Sequence, residues 1–191
     1  ERFSYERKNV SQRFKILTIR PFASRKYAND LSVKAIIELS KNKNFNDFAI
    51  HVVGAGKLFK ETLKPLQNFD NVTLHEGFLT HGEIAELHKE YGIFLTPTRM
   101  DSQGVSRDEA MSSGLVPVTT SVTAIPEFVD EQCGILSPGE DFKSMSQGII
   151  EISKDPDLFT LMSQNAAKRV RDQSSTTIII EKEIAIIRGE E

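Results

Sequence analysis

Short runs of β-branched and aliphatic residues alternate with amphipathic stretches along nearly the whole chain, and only a few residues join one to the next. Phe14–Arg20 (FKILTIR) reads as a buried strand, and Asp30–Lys41 follows with a helical stripe at Leu31, Ala35, Ile36 and Leu39. Phe48–Val53 predicts a second strand and Leu58–Leu66 a helix; Asn71–His75 predicts a third strand. Thr80 with Glu83 three positions on has the spacing of a capping box, opening a helix that runs to Tyr91. Ile93–Thr96, Val116–Thr119 and Gly134–Leu136 predict three more strands, with a helix around Arg107–Ser113. Helices then dominate: Asp141–Ser153, one capped by Asp155 with Pro156 in its first turn, and a last one ending near Arg188. The polar stretch Tyr5–Gln12 is also expected to be helical. Strand and helix alternating through such short connections predict a Rossmann-like α/β fold, a doubly wound and mostly parallel sheet of about six strands.

A length of 191 residues suits one domain. We expect residues 1–13 to be a linker remnant, 14–172 the Rossmann-like domain and 173–191 a C-terminal helix. A net charge of −3 supplies no basic field to displace counterions, so nucleic acid is not an expected partner. The single cysteine, Cys133, cannot form an internal disulfide and reads as a small core residue. No secretory signal or apolar run of membrane-spanning length is present, which points to the cytoplasm. No metal site is expected. His51, His75, His81 and His88 are scattered, without acidic partners at ligand spacing.

In a doubly wound sheet, ligands bind beyond the carboxyl ends of the strands, so the loops there are the candidates. Arg20, Arg25 and Lys26 put three cations within seven residues, suited to clamping a diphosphate; a solvated basic turn is the alternative. Gly54-Ala55-Gly56 permits close backbone approach, but Phe59 stands where a dinucleotide fingerprint needs its third glycine, which argues against NAD. Gly104-Val105-Ser106 enters a helix and offers backbone N–H groups to an anion. Glu109 is placed to accept hydrogen bonds from vicinal ribose hydroxyls, or else to complete a capping box with Ser106. A hydrolytic pairing of Asp101 with Glu109 is disfavoured: eight helical residues span ~12 Å, whereas paired glycosidase carboxylates stand roughly 5 to 9.5 Å apart.

The order of these loops resembles, over nearly the whole chain, the C-terminal domain of family 4 retaining glycosyltransferases of the two-lobed GT-B fold. The most specific stretch runs from Thr96-Pro97 to Glu109-Ala-Met-Ser-Ser-Gly114-Leu-Val-Pro117-Val118, similar to the family's acidic–seven–acidic motif and the segment after it. Ile125-Pro126-Glu127, Gly134-Ile135-Leu136 and Glu140-Asp141 resemble later family segments. Asn71-Val72 with Gly77-Phe78-Leu79 resembles the strand and loop that flank the nucleotide base.

The resemblance implies a donor-binding lobe for a nucleotide-diphosphate sugar of UDP or GDP type, with no cofactor and no metal. Glu109 corresponds to the acidic residue that binds the ribose. Asp101 corresponds to a glutamate near the donor sugar and the reacting region. Gly104, Val105 and Ser106 lie along the diphosphate, Arg20 with Arg25 or Lys26 neutralises it, and Gly54, Ala55 and Gly56 face the donor. Asp101 in place of glutamate, Ile19 in place of a glycine and the doubled Arg25-Lys26 are departures from the family. Because the chain starts at Glu1 and carries one sheet, we expect a preceding acceptor-binding lobe to be missing. The isoleucine-rich last helix is then expected to pack partly against that lobe. The longer protein is compatible with peripheral association at the membrane's inner face. A non-catalytic nucleotide-sugar-binding domain, and an epimerase or phosphorylase of related architecture, are the rival readings.

Overall fold

Six strands form a single sheet in the order β3-β2-β1-β4-β5-β6, and every neighbouring pair is parallel. They are β1 (Lys15–Ile19), β2 (Ala49–Gly54), β3 (Val72–Glu76), β4 (Ile93–Leu95), β5 (Val116–Thr120) and β6 (Ile135–Ser137). The computed structural model describes residues 2–190; Glu1 and Glu191, the ends of the expected linker and last helix, lie outside the described residues. The helices are α1 (Asn29–Leu39), α2 (Phe59–Leu63), α3 (His81–Glu90), α4 (Val105–Ser112), α5 (Ile125–Phe128), α6 (Phe142–Lys154), α7 (Pro156–Ser174) and α8 (Thr176–Arg188).

Central strands are apolar on both faces because helices cover both. On one face Ile16, Ile50, Val52, Ile93 and Val118 pack with Leu31, Ala35, Ile36 and Leu39 of α1 and Met145, Ile149 and Ile152 of α6. On the other, Leu17, Val53 and Phe94 meet Ala110 of α4 and Leu115. Cys133 sits in a third buried cluster with Met111, Ile125 and Ala166, and burial pushes its thiol up to about 11. It is a core residue, as its sequence context indicates.

Local chemistry sets the element ends. The Thr80–Glu83 capping box forms, the Thr80 N–H donating to Glu83 Oε2 at 2.7 Å. Asp155 Oδ1 accepts from the N–H groups of Asp157 and Leu158, ahead of Pro156 in the first turn of α7. The expected Leu58–Leu66 helix is α-helical only over α2 and ends as a 3-10 turn, Lys64–Leu66, where Pro65 has no N–H to continue the ladder.

Helix over Tyr5–Gln12 is not found. Residues 4–9 are irregular, and a 3-10 helix begins only at Val10. Asn9 stops it: its side chain accepts from the Ser11 N–H while Gln12 Oε1 accepts from the Asn9 N–H. The polar side chains serve tertiary contacts instead. Lys8 Nζ donates to the His88 carbonyl and Gln12 Nε2 to that of Lys89, satisfying the carboxyl end of α3.

Candidate functional site

The strand order reverses direction between β1 and β4, and a crevice opens there between the loops that leave their carboxyl ends. A cavity of about 380 Å³ occupies it. From the loop after β1 come Arg20, Pro21 and Tyr27; from the turn after β2, Gly54 and Ala55. Gly77, Phe78 and Leu79 form the wall after β3, and Asp101, Gly104, Val105 and Ser106 the wall after β4. A larger groove, about 580 Å³, lies between α1 and α6, without a buried charge among its lining residues.

Arg20 is the unusual group of the cleft. It is 6% exposed, yet neither its Nε nor its Nη2 has a hydrogen-bond partner among the described residues. Its nearest counter-charge is Asp101 Oδ2, 3.9 Å from Nη1. Burial pulls its guanidinium below the ordinary value, with Asp101 opposing. A buried cation with unused donors is costly, and such a group is suited to an anion that arrives from outside.

Two further features lie at or beside the same cleft. Gly104 begins α4 at φ 84°, a left-handed conformation that L-residues avoid, and no side chain caps the helix. The N–H groups of Val105 and Ser106 therefore have no acceptor among the described residues. Lys26 Nζ lies 5.0 Å from the centroid of the Tyr27 ring, and Arg20 Cζ lies 5.3 Å from it. The Tyr27 ring thus has both cations as neighbours. Arg25 departs from this group: its side chain lines a separate, smaller cavity with Asn29 and Glu61. Lys26, Gly56 and Glu109 are not part of the cleft wall itself.

The glycines after β2 serve the neighbouring loop. A Cβ on Gly54 would come within 2.0 Å of the Arg20 carbonyl oxygen. One on Gly56, at φ 143°, would come within 2.5 Å of the Phe22 carbonyl carbon. Their bare backbones let the Arg20–Phe22 segment pair with the end of β2, through Arg20 N–H to Val53 O and Phe22 N–H to Ala55 O.

No capping box forms between Ser106 and Glu109, because Gly104 is the N-cap. Glu109 is half-buried and its carboxylate has no hydrogen bond among the described residues; burial raises it above the ordinary range. Beneath the loop lies a buried pair, Arg107 and Asp108, bonded at 2.7 Å. Arg107 also donates to the Gln103 carbonyl, and its guanidinium packs 5.1 Å from the Phe128 ring centroid. Desolvation raises Asp108 above its usual value against the pull of Arg107. Sequence reasoning missed this pair, together with Tyr27 and Ile84 of the cleft wall. Two adjacent opposite charges entering a helix were a local signal for the pair, but their burial was not visible.

Residues 13–155 match the family described as glycosyl transferases group 1. The chain belongs to that family. A relative, the capsular polysaccharide biosynthesis glycosyltransferase CapM of Staphylococcus aureus, is 29% identical over 96 residues, covering 50% of this chain and 25% of CapM. Among solved structures, a variant of S. aureus TarM in complex with fondaparinux, α-GlcNAc-glycerol and UDP superposes with a TM-score of 0.76 at 18% identity, over 91% of this chain and 35% of TarM. The C-terminal domain of the group 1 protein LpcC from Francisella tularensis gives 0.73 at 18% identity, over 90% of this chain and 96% of that one. Pneumococcal O-GlcNAc transferase GtfA, solved with UDP and GlcNAc, gives 0.73 at 23% identity, over 92% of this chain and 35% of GtfA. These likenesses show the Rossmann-like fold of GT-B glycosyltransferases. The group 1 chain described here spans about a quarter to a third of CapM, TarM and GtfA.

Proposed function

We propose that this chain is the donor-binding C-terminal lobe of a retaining, metal-independent family 4 glycosyltransferase, and that the β1/β4 crevice holds a nucleotide-diphosphate sugar. The observation that carries this reading is the buried guanidinium of Arg20, whose Nε and Nη2 have no partner among the described residues, in one crevice with the uncapped N-terminus of α4. Breaking the bond from the sugar's anomeric carbon to the diphosphate leaves negative charge on the leaving group. Arg20, Lys26 and the Val105 and Ser106 amides stabilise that charge, which is worth ~3 to 4 kcal/mol per preorganised donor. No metal is required in this scheme. Glu109 accepts from the ribose hydroxyls, and the apolar wall at Phe78 and Leu79 takes the base.

Asp101 stands where the donor sugar would meet the diphosphate. Its backbone is fixed from the loop after β5, the Asp101 N–H donating to Thr123 Oγ1 at 3.2 Å and that hydroxyl donating to the Asp101 carbonyl at 2.6 Å. Retention follows from attack of the acceptor on the face the diphosphate leaves, the departing phosphate taking the acceptor proton. The acceptor comes from a facing lobe, because glycosyl transfer needs its oxygen within about 3 to 3.5 Å of the anomeric carbon. Five isoleucines of α8 (Ile179, Ile180, Ile184, Ile186 and Ile187) are exposed, apolar surface suited to that lobe. No helix among the described residues is long and apolar enough to cross a membrane. We place the longer protein in the cytoplasm, peripheral to the membrane's inner face, acting in polysaccharide biosynthesis.

A thermal-shift panel of UDP, GDP, ADP and their sugars in EDTA tests the binding half of this reading, since a native-state ligand raises stability by RT ln(1 + [L]/Kd). One base series should raise Tm; no response to any of them would overturn it. Transfer from the bound sugar nucleotide by the longer protein, lost in Asp101→Asn, separates a transferase from a domain that only binds.

A further inference from the structure

Arg99, half-buried two residues before Asp101, uses its whole guanidinium in hydrogen bonds, and sequence reasoning assigned it nothing. It leaves the loop after β4 and gathers three segments that are distant in sequence. Its Nη1 and Nη2 donate to the two oxygens of Asp30 at 2.8 Å each, a bidentate pair at the start of α1. Its Nε and Nη2 donate to Glu140 Oε1 and Oε2 at 2.6 and 3.0 Å, in the loop between β6 and α6. Its Nη1 also donates to the Arg25 carbonyl at 2.7 Å, and its own backbone N–H to the Lys26 carbonyl at 2.9 Å. Thr98 Oγ1 adds a 3.3 Å contact to that same Lys26 oxygen. Both carbonyls of the Arg25-Lys26 pair are therefore held from the loop after β4.

The anchorage of that loop is itself buried. The Thr98 N–H donates to Thr120 Oγ1 at 2.9 Å, and the Thr120 hydroxyl donates to the Thr98 carbonyl at 2.5 Å. Asp101 follows Arg99 by two residues and is secured by Thr123. One rigid bracket thus carries Lys26 on one arm and Asp101 on the other. A guanidinium is needed at its centre, since a fork of planar donors meets two carboxylates and a carbonyl at once and an ammonium does not. Glu140 is held at φ 63° where it reaches Arg99, a conformation uncommon for a residue with a Cβ.

We propose that Arg99, through Asp30 and Glu140, is a positioning residue that fixes the Arg25–Lys26 turn so that the Lys26 ammonium and the Arg20 guanidinium converge on one diphosphate. The inference rests on the nucleotide-sugar reading above. It assigns Arg99 no contact with the ligand. Without the bracket the exposed turn keeps its charge but loses its place, and a lysine free to sample solvent contributes little to a phosphate site.

The test is calorimetry on the 191-residue chain, comparing UDP, GDP and ADP with their nucleosides. The variants are Lys26→Ala, Arg99→Gln and the double replacement. Arg99→Gln should weaken diphosphate binding about tenfold and leave nucleoside binding within about twofold, the size expected when one charge-assisted contact is lost. In the Lys26→Ala background the same change should cost less than about twofold, because the two act through one contact. Glu140→Gln, which keeps the Asp30 fork and the fold, should give a smaller loss with the same selectivity for the diphosphate. Equal losses for nucleoside and diphosphate, or a full tenfold penalty on top of Lys26→Ala, would overturn the proposal. Diphosphate binding by the unaltered chain with no dependence on Arg99 would remove this inference and leave the functional reading standing. Absence of any nucleotide binding by the unaltered chain would remove both.

Discussion

Replacing Arg20 by Met should make the unliganded protein more stable while destroying its diphosphate site. The structure supplies the opposing magnitudes. In the free protein the guanidinium is 6% exposed and two of its nitrogens are unpartnered among the described residues. Each unsatisfied buried polar group costs about 1–3 kcal/mol, and removing an ion from water several more. Against this stands the attraction to Asp101 at 3.9 Å, about 4 kcal/mol at an effective dielectric of about 20. Asp101 keeps 25% side-chain exposure, so water takes over its solvation once the arginine is gone. Met fills the aliphatic volume with no polar atom to bury. We expect a net gain of ~1 kcal/mol, a rise in Tm of about 2–4 °C for a chain of this size. Nucleoside diphosphate affinity should fall by about 10- to 100-fold, with nucleoside affinity little changed, as for the loss of a hydrogen bond to a charged group. Thermal melts without ligand and calorimetry with both ligands read the two effects. A variant that melts several degrees lower and still binds the diphosphate would show that Arg20 is a structural tie and that the buried-donor argument is mistaken.

Glu109→Gln should weaken nucleoside and diphosphate binding alike by about tenfold while moving Tm by less than about 2 °C, because Gly104, not Ser106 with Glu109, caps α4; calorimetry beside a melt checks it. Gly54→Ala should cost about 1–3 kcal/mol in denaturant unfolding and disorder the Arg20 loop, since the new methyl meets the Arg20 carbonyl at 2.0 Å. Burial lowers His88 from 6.5 to about 3. The unfolded chain therefore takes up this proton first as pH falls: the stability is fully present above 6.5, and about 2 kcal/mol is lost by about pH 5. His88→Asn should flatten that slope in urea unfolding between pH 5 and 7. Saturable nucleotide binding should survive EDTA, and loss of binding on chelation would contradict the metal-free scheme.

The strands could be read from sequence because a parallel sheet covered on both faces demands short runs rich in apolar and β-branched residues, which FKILTIR and FAIHVV supply. Capping at Thr80 and Asp155 is equally local: donor, acceptor and spacing all lie within four residues. What escaped depends on distant partners. Tyr5–Gln12 carries a helix-compatible pattern, but Lys8 and Gln12 are spent on the carbonyls of α3, some 77 to 80 residues away. Arg99 meets Asp30 across 69 residues and Glu140 across 41, so no window of sequence contains the bracket. The Arg25-Lys26 ambiguity had the same origin. Tyr27 and the small cavity beside Asn29 send the two side chains in different directions, and only tertiary structure supplies either.

In the proposed function, the crevice between the β1 and β4 loops takes a nucleoside diphosphate on Arg20 and the N-terminus of α4. A crystal structure of the 191-residue chain grown in EDTA with the diphosphate selected by the thermal-shift panel tests it most directly. Phosphate oxygens should lie within hydrogen-bond distance, about 2.7–3.2 Å, of the Arg20 guanidinium and of the Val105 or Ser106 amide. The ribose should lie against Glu109. A diphosphate bound in the α1/α6 groove, or one in the crevice that leaves the Arg20 donors unpaired, would contradict it.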